Sequence, residues 1–263
     1  MLVLAIELLV AGGLVGLLAL AWVGGKLLAR RLSRKLGTNP QMGIVQGAIL
    51  TLLGLQLGFS FAGAMSRFVE RQDIITREAN TIGTLYLRAG LLDDARRDRL
   101  RADLRDYTAA RLRLFETEGM MLEGDINAEL DSINRGIWEV IAEGVEERPQ
   151  VAVLVVPACN EMIDMLATRN AAITRHIPLL VLFVLIACAV ASVAAIGLGV
   201  EASDNRLRMP AAVLTFLIAA TLWTIIDLDF PRLGLIRSSP KPLRDVAKMM
   251  QQDAPVHPVR APR

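Results

Sequence analysis

The chain has 263 residues, 53% of them hydrophobic, and a formal net charge of only +2. An ordinary soluble domain is less apolar than this, and so small a charge creates no field suited to nucleic acid. Two cysteines, Cys159 and Cys188, and two histidines, His176 and His257, leave no disulfide framework and no histidine metal cluster to build, so neither a metal nor another cofactor is expected.

The apolar excess lies in four blocks near Met1–Gly25, Gly43–Ala64, Ile177–Val200 and Met209–Leu228. A bilayer core is crossed by about 20 helical residues, so each block suffices. The first has an Ala19-Leu20-Ala21 run resembling a cleavage site. It lacks a basic residue ahead of its apolar stretch and is long for a signal peptide, so a retained anchor is expected, with Glu7 at the interface.

The second block, GIVQGAILTLLGLQLGFSFAG at 43–63, carries no charge and has two faces. At 3.6 residues per turn, Gly47, Thr51, Gly54, Gly58 and Ala62 fall on one side, a small-residue surface on which helix backbones approach closely in lipid. Gln46, Gln56, Ser60 and Gly63 fall roughly opposite, in line with Arg67. Unpartnered amides facing hydrocarbon cost several kcal/mol each. The polar side is therefore expected to meet water or another polar helix. Ile49 and Leu53 share that side and are candidates for an apolar gate, whereas Phe59 and Phe61 lie away from its centre. Gln46, Ile49, Leu53, Gln56, Ser60, Gly63 and Arg67 are the expected lining of a path, and Gly47, Gly54, Gly58 and Ala62 the expected packing surface. The bland alternative is that the amides and the hydroxyl join neighbouring spans.

Residues 65–176 form a polar insert with 15 Arg, no Lys and 20 acidic residues, a net charge of about −5. Apolar positions recur there at helical spacing. Phe68, Ile75, Ile82 and Ala89 repeat every seven residues, joined by Ala79; Leu100, Leu104, Tyr107 and Leu114 make a second stripe. Ile133, Ile137, Val140 and Ile141 make a third, and Val151, Leu154, Val155, Met162 and Met165 a fourth. Asp93-Asp94 suits a helix start. Gly119–Gly124 reads as a loop, Pro149 as a helix opener, Pro157 as a kink or break, and Pro178 as the entry to the third span. Four helices are expected, the first continuing from the second span, because no breaker separates Ala64 from Ala79. The tail from 229 to 263 is polar and proline-rich, with disorder expected beyond about Met250. The expected domains are 1–64, 65–176, 177–228 and 229–263.

The positive-inside rule divides on orientation. Loop 26–35, KLLARRLSRK, would draw one side of the membrane inward; Arg67, Arg71, Arg77, Arg169 and Arg175 with the basic tail would draw the other.

Three segments are more specific than composition: LLGLQLGFSFAGAMSRFVERQDIITREANTIGTLYLRAGLL at 52–92, NEMIDMLATRNAAI at 160–173 and DLDFPRLGLIRSSPKPL at 227–243. In this order and spacing they resemble the bestrophin-like family of bacterial membrane proteins, over about residues 45–245. The run Arg77-Glu78-Ala79-Asn80 with Tyr86 and Arg88 carries most of the resemblance, and the stretch from Asp227 and Asp229 through Gly234-Leu235-Ile236 nearly as much. The resemblance implies two spans, a helical insert and two more spans. It also implies an architecture similar to bestrophins, pentameric anion channels whose second span lines the pore and whose insert is cytosolic. The aromatic and branched-aliphatic constriction of a bestrophin neck has no clear match on the polar side of the second span.

An all-α protein of the bacterial inner membrane follows, with lipid and further copies of itself as partners. One reading is an oligomeric channel for small anions; the other is a non-conducting scaffold or sensor whose insert binds a partner. Ser66, Ser192 and Ser203 have no neighbouring histidine, so no nucleophile and base pair points to an enzyme.

Overall fold

In a computed structural model the protein is described over residues 2–36, 41–116, 123–201, 208–230 and 234–253. Every regular element among these is helical: α1 (Leu2–Leu36), α2 (Gln41–Arg88), α3 (Asp94–Glu116), α4 (Glu123–Glu147), α5 (Ala152–Thr174), α6 (Leu179–Glu201), α7 (Arg208–Asp229) and α8 (Lys241–Gln252). Four membrane-length apolar stretches fall on α1, α2, the run through α5 into α6, and α7. No proline interrupts α2, so span and insert share one 48-residue helix. At 1.5 Å per residue it is roughly 72 Å long, about twice what a bilayer core accommodates, so its second half must leave the membrane.

The chain divides into two compact units, residues 1–69 with 175–237 and residues 70–174 with 238–263. In the first, α1, the first part of α2, α6 and α7 share a core built on Leu14, Leu18, Leu53, Leu185, Ala189, Val193, Leu222 and Ile225. The tightest backbone approach joins α1 to α6. A Cβ at Gly25 would sit on the carbonyl oxygen of Ala194, and one at Gly197 on that of Trp22. The small-residue contact expected on α2 is thus made, within the chain, by α1 and α6. Thr51, Thr215, Thr221 and Thr224 return their hydroxyls to the carbonyl four residues back, so no span exposes an unsatisfied threonine.

In the second unit, α3, α4, α5 and α8 pack with the second part of α2. Ile75, Ala79 and Ile82 along α2 and Ala89 in the 3-10 turn that follows it are buried, as their spacing predicts, with Leu85 and Tyr86 beside them, while Phe68 of the same stripe packs on the core of the first unit. Asp93 opens α3: its Oδ1 accepts from the amides of Ala95 and Arg96, at 3.1 and 3.2 Å, on a helix end short of acceptors. Pro149 opens a 3-10 turn, Pro149–Val151, that leads into α5. Pro157 neither breaks nor ends that helix. The residue whose carbonyl it leaves unbonded, Val153, is exposed, which lowers the cost of the missing bond. Of the expected Gly119–Gly124 loop, residues 119–122 lie outside the described residues, while Glu123 and Gly124 already belong to α4.

The tail differs from expectation. Residues 241–252 are helical, with Leu243, Val246 and Met250 buried on one face in the core of this unit. Tyr86 and Arg105 both donate to the carbonyl of Met250, and Ser239 exchanges two hydrogen bonds with Gln72. The apolar period of 3 to 4 residues was present between Pro242 and Asp253, but the surrounding prolines outweighed it in composition. Residues 254–263 lie outside the described residues.

Candidate functional site

Helix α2 presents the two faces read from its sequence, and within the chain the polar side is the one that packs. Leu53 is only 2% exposed, inside the core shared with α1, α6 and α7. Gln46 donates to the carbonyl of Ala195 on α6 at 2.8 Å, and Gly199 leaves room for that amide. Ile49, Gln56, Ser60 and Gly63 are half-buried on the same side, and Arg67 pairs with Asp229 at 2.9 Å. Gln46 and Arg67 of the polar stripe thus find partners within their own chain, as glue between spans. The Gln56 side-chain oxygen is buried and meets no donor among the described residues.

The opposite face is bare. Gly47, Thr51, Gly54, Gly58 and Ala62 are exposed, and no atom lies within 4 Å of a Cβ placed on any of these three glycines. Leu52, Leu55 and Phe59 flank them, and Phe59 is 71% exposed. A long surface mixing glycine and large apolar side chains is open on a helix that the rest of the chain covers on one side only.

The two aspartates at the end of α7 are structural anchors. Asp227 accepts the amides of Leu235 and Ile236 at 2.6 and 2.9 Å. Gly234 permits this turn, because a Cβ there would lie 2.7 Å from both the carbonyl oxygen and Oδ1 of Asp227. Asp229 accepts the Ile177 amide at the start of the third span and the Arg67 guanidinium, each at 2.9 Å. His176 Nδ1 lies 3.0 Å from the Asp229 carbonyl oxygen and its ring stacks on Phe230. The motif residues Asp227, Asp229 and Gly234 thus tie the end of one span to the starts of two other segments. Arg237 donates to the Gly234 carbonyl. Glu7 is 7% exposed rather than interfacial, because the Trp223 indole donates to it at 2.9 Å and Asp227 lies beside it.

In the insert, Glu78 is fully buried and Arg77 and Asn80 are exposed. The three leave a single helical turn in different directions, so Arg77 and Asn80 point away from Glu78. Glu78 holds Arg111 of α3 by two bonds at 2.5 and 2.6 Å and accepts the Tyr107 hydroxyl at 3.1 Å. Burial and the neighbouring Glu78 carboxylate hold the Tyr107 phenol well above its ordinary value. Burial likewise pushes the Cys159 thiol up to about 12, so it stays an inert apolar filler. Tyr86 is buried and accepts from Arg105 at 2.6 Å, and Arg88 donates to the Leu154 carbonyl. Asn80 borders an open cavity of about 590 Å³ shared with Gly83, Thr84 and α8. Arg111 carried no sequence signal, because a lone arginine on a highly charged helix looks solvated. Tyr107 was legible only as part of an apolar stripe.

A family profile described as the Bestrophin-like domain matches residues 12–243. Among solved structures, a point variant of a bacterial bestrophin homologue from Klebsiella pneumoniae superposes with a TM-score of 0.70 at 13% identity, over 92% of this chain and 96% of that one. A second variant of that homologue gives 0.67 at 14% identity, over 91% and 97%. A point variant of a protein described as a membrane protein gives 0.64 at 15% identity, over 94% and 100%. No curated protein matches by sequence. At these identities the structures establish the fold, while the profile covers most of the chain: this is a membrane protein of the bestrophin-like family.

Proposed function

We propose that the protein is a non-enzymatic, multi-pass subunit of an oligomeric anion channel in a bacterial inner membrane, with α2 beside the path. The carrying observation is the bare face of α2. Its glycines leave space for another helix backbone, and a helix of this length stands against the chain's other spans on one side only. Further copies of the chain would cover the glycine side. The flanking Leu52, Leu55 and Phe59 would then narrow the path as apolar rings, a gate that works by excluding water. Gln46 and Arg67 of the expected stripe hold contacts within the subunit, which favours this face over that stripe as the candidate lining. The family and the fold support the reading.

Purified protein in chloride-loaded liposomes tests it. Chloride efflux is expected, faster for Phe59→Ala than for the wild type and unchanged for Gln56→Ala. The detergent-solubilised protein should have the mass of a closed ring of copies. A monomer without flux in any variant would leave only an anchored helical protein.

A further inference from the structure

Arg169 of α5 is the side chain that the fold leaves unexplained. It is 5% exposed, yet its Nε, Nη1 and Nη2 all lie buried without a hydrogen-bond partner among the described residues. Its surroundings make this costly. Glu78 is already saturated by Arg111 and Tyr107, Tyr107 stays a neutral phenol, and Arg111 lies near enough to oppose the charge on Arg169. The group of Glu78, Arg111 and Arg169 therefore holds one negative and two positive charges. Burial and Arg111 push Arg169 down to about 10, which still leaves it charged near neutrality. A buried, unpaired guanidinium is among the most expensive groups a fold can carry.

We propose that the junction of α2, α3 and α5 binds a small monovalent inorganic anion, of chloride's class, on the free guanidinium edge of Arg169. The enclosure of the side chain excludes a lipid headgroup or a peptide carboxylate as the partner, and the single excess positive charge calls for a single negative one. The site lies in the insert and does not depend on whether α2 conducts.

The test uses the full-length protein in detergent. Its unfolding temperature is compared in sodium chloride and in sodium gluconate at equal ionic strength. An anion bound only by the folded state raises the midpoint; for a tenfold excess over the dissociation constant the rise should be about 3 °C or more. In Arg169→Met the two salts should give the same midpoint. In crystals soaked in bromide, an anomalous peak should contact the Arg169 guanidinium in the wild type and vanish in Arg169→Met. Equal wild-type midpoints together with no bromide at Arg169 would overturn the proposal. So would a chloride dependence that survives in Arg169→Met, because the ion would then sit elsewhere. If that variant does not fold, the wild-type bromide map alone decides between the two outcomes. Liposome flux plays no part in any of these readouts, so the failure of one reading leaves the other standing.

Discussion

Glu78 shows how strongly one buried carboxylate can be committed. It is enclosed with Arg111 and Tyr107 where α2 meets α3, and its charge also acts on the buried guanidinium of Arg169. Removing one partner of such a pair strands the other charge in low dielectric, which costs about 3–5 kcal/mol. Glu78→Ala should lose that much in denaturant unfolding, whereas Glu78→Gln combined with Arg111→Met should lose much less. Asp93 offers a pH-dependent counterpart at the surface. Hydrogen bonds from the Arg96 side chain and amide hold its carboxyl below the ordinary range. Its contribution is therefore complete above the ordinary carboxylate value and fades as pH falls through the lowered one. Asp93→Ala should lower the unfolding temperature at neutral pH and flatten that acid limb, as thermal scans titrated downward would show. The helix start at Asp93 was legible because capping is local. The Glu78–Arg111 pair was not, because its members lie 33 positions apart and no spacing rule joins them.

At the scale of elements, glycine has opposite meanings on two helices. On α1 and α6, Gly25 and Gly197 touch the backbone of the facing helix; on α2, Gly47, Gly54 and Gly58 touch nothing within the chain. Gly25→Val and Gly197→Val should each destabilise the solubilised protein by at least about 2 kcal/mol, since the clash is with backbone that cannot swing aside. Gly58→Val should leave the unfolding of the single subunit nearly unchanged. Pattern alone singled out the small residues of α2 and left Gly25 and Gly197 unremarked. Helix α8 teaches the same lesson from the opposite direction. Its burying face is three residues on a twelve-residue segment, too short to stand out among the flanking prolines. Its stability comes from the core that receives Leu243, Val246 and Met250 rather than from its own propensity.

At the scale of the whole molecule, a chain with one fully bare helix face needs something to cover it. Gly54→Leu should lower the mass of the solubilised assembly toward the monomer while leaving the far-ultraviolet helical signal intact, measured by light scattering and circular dichroism. An unchanged mass would mean that this face is not where copies meet. By itself the sequence determined the all-helical class, the four spans, the unbroken helix from span to insert and the family, because each rests on hydropathy or on periodicity within one segment. It also determined that α2 has two chemically different sides. Only the tertiary structure decided which side turns inward. A helical wheel orders residues around an axis but says nothing about what stands opposite, and that was settled by partners as remote as Ala195 for Gln46 and Asp229 for Arg67.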